Sequence, residues 1–187
     1  NMSAGCGSIS PHTMSTPMAS DDVTVSLPVD PDRVVDIWTD GGCKPNPGPG
    51  GWAAIMVFRG VERELSGFDP DTTNNRMELL AAAAALEALK RPCQVRIFTD
   101  SEYLKNGITR WHQGWVRKNW RNASGDPVKN MELWQRILTA AKTHDVEWHW
   151  VRSHVGIPLN ERADKLATLA REEGMRLRAE AKLSVRT

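Results

Sequence analysis

The chain has 187 residues, 40% of them hydrophobic and 25% charged, and a formal net charge of +1. That length fits one domain of roughly 100–200 residues with tails, and the composition is that of a soluble globular protein. No apolar run approaches the roughly 18 residues that span a bilayer, the N-terminus lacks a secretory pattern, and a balanced total charge can still hide basic or acidic patches.

Residues 1–32 are rich in Ser, Pro, Met, Thr and Asp and show almost no periodicity. Such a segment buries too little apolar surface to offset its ordering entropy, which predicts a disordered N-terminal tail or a cloning remnant. Order is expected from Arg33. Val34, Val35, Ile37 and Trp38 give a strand leading to Thr39 and Asp40, followed by a turn-rich KPNPGPGG stretch. Trp52 to Phe58 reads as a second strand and Val61 to Phe68 as a third, joined by an Arg59-Gly60 turn. Thr73 to Lys90 is the clearest helix, with Asn75 and Glu78 at capping-box spacing.

Val95, Ile97 and Phe98 form a fourth strand ending at Asp100. Two short helices are expected over 101–107 and 110–118, and a longer one from Met131 to Lys142. Val146 to Val151 is the fifth strand, and Pro158 suits the first turn of a last helix. Alternating strands and helices imply a mixed α/β sheet covered by helices. The expected organisation is a tail over 1–32, one domain over 33–172 and a charged tail, ragged or helical, over 173–187. Cys6, Cys43 and Cys93 form an odd set without a CxxC pair. That argues against a disulfide framework or a structural zinc site and suits reduced thiols in the cytoplasm.

Four acids stand in unusual local contexts: Asp40 in IWTDGGCKPNPGPGG, Glu78 in TTNNRMELLAAAAAL, Asp100 in IFTDSEYL and Asp164 in HVGIPLNERADKLA. Asp40 and Asp100 each end an apolar run, where an acid gains nothing for core packing. Acids gathered at strand ends can hold hard cations through oxygen ligands. Taken singly, Glu78 would be a helix-cap acid, Asp164 a surface acid, and the two Thr-Asp pairs strand-end turns. Together, in this order, the four segments resemble ribonuclease H type 1, the family that cuts the RNA strand of RNA/DNA hybrids, and the resemblance runs from about Val34 to about Ala170.

The resemblance implies a ribonuclease H-like fold: a five-stranded mixed β-sheet flanked by α-helices, with a basic helix–loop protrusion. It assigns Asp40, Glu78, Asp100 and Asp164 to metal-dependent endonucleolytic cleavage that leaves 5′-phosphate and 3′-hydroxyl ends. Two divalent ions roughly 4 Å apart stabilise charge on the attacking and leaving oxygens of a phosphodiester. Mg²⁺ is expected, with Mn²⁺ able to substitute. Glu78 is expected in the first turn of its helix, where the dipole favours a carboxylate. Acids packed this closely repel one another, so at least one pKa should rise without metal.

His154, in VRSHVGIP, corresponds to the family's loop histidine, and a pKa of about 6.5 suits proton transfer. Asn160 lies one helical turn before Asp164 and Glu161 follows it; each is either a helper at the metal rim or a helix-start residue. Asn46, Asn74 and Asn75, with backbone near Cys43, correspond to positions that meet the RNA strand, although Asn also favours turns and caps. Neutral amides suit the 2′-hydroxyl that distinguishes RNA from DNA.

For the DNA strand, Arg110, Arg117, Lys118, Arg121 and Lys129 interleave with Trp111, Trp115 and Trp120. This segment resembles the family's basic protrusion; cations neutralise phosphates and indole faces pack on sugars or bases. Trp111 and Trp115 are four apart and could equally line a buried helix face, and Trp134 is expected in the core beneath them. Thr73 and Asn130 correspond to a phosphate pocket. Asp71 stands where relatives often carry Arg, leaving Arg76 or Lys129 to compensate. The implied partner is an RNA/DNA hybrid duplex, bound by a monomer without an obligate protein partner.

Overall fold

In the computed structural model, residues 33–152 and 157–186 are described; the predicted tail over 1–32 and His154 lie outside them. Strand β1 (Val34–Cys43) alternates side chains between two faces, as strand geometry requires. Val35 and Ile37 face one layer of core with Ala54 and Met56 of β2 (Gly48–Phe58). Asp36, Trp38 and Asp40 take the other face. β2 pairs antiparallel with β1 and with β3 (Val61–Thr72). β4 (Gln94–Thr99) and β5 (Asp145–Trp150) add parallel neighbours, so the sheet runs β3-β2-β1-β4-β5. This is the expected fold class.

Helix α1 (Asn74–Ala88) lays Leu79, Ala82, Ala83, Ala85 and Leu86 on the Val35/Ile37 face, with α4 (Met131–Ala141) packed beside it. Helix α5 (Pro158–Ser184) crosses β1, β2 and β3 with Asn160, Ala163 and Ala167 buried. It continues unbroken past residue 172 to Ser184. Among the described residues, no helix is long and apolar enough to cross a membrane.

Several elements differ from their expected bounds. β2 starts at Gly48 rather than Trp52, and β3 runs to Thr72. The glycines that read as turn punctuation are strand residues on which helices press. The two helices expected over 101–107 and 110–118 are one helical run: α2 (Glu102–Asn106), a π turn (Gly107–Trp111) and α3 (His112–Arg117). A β-carbon on Gly107 would overlap the Trp134 ring, so the glycine serves close packing and not a break. The α1 cap is Thr73, whose Oγ1 accepts from Arg76 N at 3.2 Å, not Asn75.

Candidate active site

Asp40 does not end its strand. It sits inside β1 opposite Ala53, two residues beyond the last β1–β4 pair, Trp38 with Phe98. Asp100 is one residue past β4, in phase with Phe98 and therefore on the face that carries Trp38 and Asp40. Glu78 arrives from α1, on the second turn and not the first, because the helix starts at Asn74. Gly41 makes this possible: a β-carbon there would stand 2.6 Å from Met77 O and 2.8 Å from Glu78 N. Bare backbone against backbone brings Glu78 down to the strand.

Carboxylate oxygens of Asp40, Glu78 and Asp100 all lie within 4.8 Å of one another. Asp164 approaches from α5 and hydrogen-bonds the Asp40 carboxyl. The four acids line one open pocket of about 590 Å³ together with Gly41, Gly42, Cys43, Lys44, Asn74 and Arg171.

The electrostatics of this group are costly. Asp40 is only 7% exposed. Burial, the shared hydrogen bond with Asp164 and the charge of Asp100 push its pKa from 3.8 up to about 7, against the Gly41 N–H, which donates at 2.9 Å and lowers it. Glu78 is raised well above the ordinary range by burial first, then by the charges of Asp40 and Asp100. Its Oε2 is buried and, among the described residues, has no hydrogen-bond partner. A buried acceptor with no donor, beside acids that cannot all ionise, fits a cation and fits little else. The triad can hold a metal ion.

Beside the acids, Asn46, Cys43 and Asn74 form a closed set. Asn74 Oδ1 accepts from Cys43 N at 2.8 Å and Asn46 Oδ1 accepts from Asn74 N at 3.2 Å, while the single Cys43 thiol proton lies within reach of both oxygens, Sγ being 3.5 and 3.3 Å away. Both carbonyl oxygens therefore point inward, leaving the amide hydrogens to face outward. The Cys43 N–H is committed, so Cys43 acts by holding Asn74. Asn75 is exposed at the next position. Asn160 is buried on the sheet-facing stripe of α5, and Glu161 is exposed.

The protrusion is built on aromatic packing. Trp134 is fully buried, Trp115 packs tilted against it with centroids 5.2 Å apart and planes 55° apart, and Trp120 and Trp111 flank Trp115 at 5.8 and 5.9 Å. Asn119 and Trp120 both take left-handed backbone angles that turn the chain back, so that Trp120 N bonds Trp115 O. Trp111 is the outermost, 38% exposed. Arg117 and Lys118 are exposed at the end of α3. The Arg121 guanidinium instead donates to Gly125 O at 2.9 Å and closes the 122–126 turn.

Thr73 and Asn130 are brought together by Arg76, whose N–H meets Thr73 Oγ1 and whose Nη1 donates to Asn130 Oδ1 at 3.0 Å. The same Nη1 lies 2.6 Å from Glu132 Oε1. Asn130 also donates to Tyr103 Oη at 3.1 Å. Asp71 is exposed, its N–H turned to Asp69 Oδ1.

Lys44 and Arg171 line the acid pocket and were not anticipated. Arg171 could have been found: seven residues after Asp164 is two helical turns, hence the same face.

A five-stranded mixed sheet with three acids converging beside its central strands and a fourth brought by the last helix defines a nuclease of the ribonuclease H-like fold. The RNase H family model matches residues 32–172. A ribonuclease H of Granulibacter bethesdensis is 74% identical over 142 residues, covering 76% of this chain and 95% of that protein. One of Acidiphilium cryptum is 70% identical over 151 residues, covering 81% and 94%. Among solved structures, LC9-RNase H1, a type 1 RNase H with the type 2 active-site motif, shares 33% identity at a TM-score of 0.67, covering 78% of this chain and 75% of that one. LC11-RNase H1, solved in complex with RNA/DNA hybrid, shares the fold at 24% identity and a TM-score of 0.58, covering 75% and 99%. The chain belongs to the ribonuclease H family, type 1, and by that membership is an endoribonuclease.

Proposed function

We propose that the chain hydrolyses the RNA strand of RNA/DNA hybrids at the four-acid pocket, using two divalent cations and leaving 3′-hydroxyl and 5′-phosphate ends. The observation that carries this reading is the Asp40–Glu78–Asp100 cluster, with its raised pKa values and the unpartnered Glu78 Oε2. Asp40, Glu78, Asp100 and Asp164 would hold Mg²⁺ or Mn²⁺, whose charge would stabilise the attacking and leaving oxygens of the phosphodiester. Loading the site requires Asp40 and Glu78 to give up their protons, so binding is favoured as pH rises.

The remaining residues position the duplex. Asn46 and Asn74, with oxygens locked inward, offer amide hydrogens to 2′-hydroxyls, and Asn75 extends the row. Trp111, Arg117 and Lys118 form the outer face of the protrusion toward the DNA strand, while Trp115 and Trp120 support it from below. Thr73, Asn130 and Arg76 form the phosphate pocket. His154 carries protons or helps product depart, as the family resemblance implies.

Asp40→Asn tests the assignment of the acids. Cleavage should fall by roughly 10³-fold, some 4 kcal/mol at 1.36 kcal/mol per decade, while hybrid affinity stays within a few-fold. Retained turnover would remove Asp40 from the chemistry.

A further inference from the structure

Among the described residues, the Arg171 guanidinium is only loosely paired, 3.9 Å from Glu172 Oε1, whereas four more exposed arginines hold carboxylates at 2.8 Å or less. Arg96 forks onto Asp36 at 2.6 and 2.7 Å, and Arg136 onto Glu87 at 2.8 and 3.0 Å. Arg162 bridges Glu62 and Glu64, both at 2.7 Å, and Arg176 holds Glu173 and Glu180. Arg171 lies 3.9 Å from one oxygen of Glu172 and donates to Met175 Sδ at 3.6 Å. Yet its side chain is only 19% exposed, less than any of those four. A cation this far withdrawn from water, held by one long ion pair and a thioether, gains from a closer anionic partner.

Gly51 fixes where this cation lies. A β-carbon at Gly51 would stand 2.8 Å from Arg171 N and 3.1 Å from its Cβ, and would overlap Ala167 O. The α5 backbone therefore rests directly on β2. Arg171 lines the acid pocket together with Cys43, Lys44 and Thr168. Its charge reaches Cys43: burial raises that thiol, hydrogen bonds with Gly48 and Asn74 oppose the rise, and Arg171 opposes it as well. Arg171 thus stands at the boundary between the carboxylates and the Asn46–Cys43–Asn74 set.

We propose that Arg171 binds a backbone phosphate of the RNA strand next to the site of cleavage, on the wall of the acid pocket. This rests on the hybrid-cleaving reading above. A planar fork matches two phosphate oxygens, and a loosely paired guanidinium beside four acids offsets their repulsion of the strand's negative charge. Through this contact Arg171 acts as a positioning residue, fixing which phosphodiester meets the acids.

The test uses the Asp40→Asn protein, which should bind without cutting, carrying in addition Arg171→Met or Arg171→Lys. Met keeps the apolar stem and removes the charge. Arg171→Met should weaken hybrid binding about tenfold or more, as loss of a charge-assisted contact does, and reduce the salt slope of log K by about one phosphate's worth, roughly 0.9. Arg171→Lys should restore the slope and only part of the affinity. Replacing RNA-strand phosphates one at a time by methylphosphonate should reveal one position that costs the Arg171 protein and costs the Arg171→Met protein nothing. Unchanged affinity and slope in Arg171→Met overturn the proposal, as does a lower melting temperature with equal sensitivity at every phosphate. Failure of the parent reading looks different: the protein with Arg171 intact would itself show no preference for hybrid.

Discussion

Gly41 of β1 lies against Met77 of α1 so closely that a β-carbon on the glycine would stand 2.6 Å from the Met77 carbonyl oxygen. The approach places Glu78 within reach of Asp40, and with it the whole triad. Gly41→Ala should therefore damage stability and activity together. Overpacking of this kind costs about 1–3 kcal/mol, or roughly 3–10 °C in melting temperature for a chain of this size. Cleavage should fall further than the folded fraction, because α1 carries Glu78 away from the other acids. A thermal melt and an activity assay on the same sample separate the two effects; full activity would mean the site tolerates a displaced α1.

The acids should leave a signature in stability against pH. Asp40 holds its proton to about pH 7 in the folded protein and releases it near its ordinary 3.8 when unfolded. Below the unfolded value the group costs the fold nothing; as pH rises toward 7 its stabilisation is lost. Glu78 shifts in the same direction. Metal-free protein should thus gain stability from Asp40→Asn at pH 8, by up to about 4 kcal/mol at 1.36 kcal/mol per unit, and gain little at pH 4. Adding Mg²⁺ at pH 8 should stabilise the unsubstituted protein and close the gap. Melts at the two pH values decide it, and an equal effect at both would contradict the raised pKa.

The tryptophans of the protrusion should separate by role. Trp115 packs on buried Trp134, so Trp115→Ala should cost up to about 3–5 kcal/mol of stability. Trp111→Ala should melt nearly normally and raise KM, since a stacking contact is worth about 1–3 kcal/mol. Arg117→Ala with Lys118→Ala should raise KM and flatten its salt dependence. Arg121→Ala should act on the 122–126 turn that its guanidinium closes, with a smaller salt effect. Steady-state kinetics at several salt concentrations distinguish these patterns.

The phosphate pocket carries its cation on Arg76, which Glu132 also holds at 2.6 Å, while Asp71 adds an exposed negative charge nearby. Asp71→Arg should tighten hybrid binding several-fold and steepen its salt dependence by about one phosphate. Binding isotherms at two salt concentrations measure this, and unchanged affinity would mean that Asp71 stands clear of the duplex.

Much of the site was legible because each acid sits in a short motif whose residues are contiguous. The five strands and the helices around them were legible for a similar reason: their apolar periodicity is local. What escaped notice depends on contacts between distant segments. Gly48 to Gly51 read as turn residues, since a glycine that admits a helix backbone and one that makes a turn look alike in sequence. Gly107 read as a break between helices because only Trp134, on another helix, explains it. The Asn75–Glu78 spacing suggested a cap that Thr73 in fact provides, moving Glu78 into the second turn. Arg171 was not singled out because it lies near the expected end of the domain, and its place on the pocket wall follows from the backbone of α5 resting on Gly51.

The central claim is that the four-acid pocket cuts RNA only when it is paired with DNA. The most direct measurement is cleavage, with Mg²⁺ present, of one RNA sequence offered as an RNA/DNA hybrid and as single-stranded RNA, beside a DNA duplex of the same sequence. The RNA in the hybrid should be cut, leaving 5′-phosphate and 3′-hydroxyl ends, with neither of the other substrates touched. Equal cutting of all three, or cutting that persists in Asp40→Asn, would contradict it.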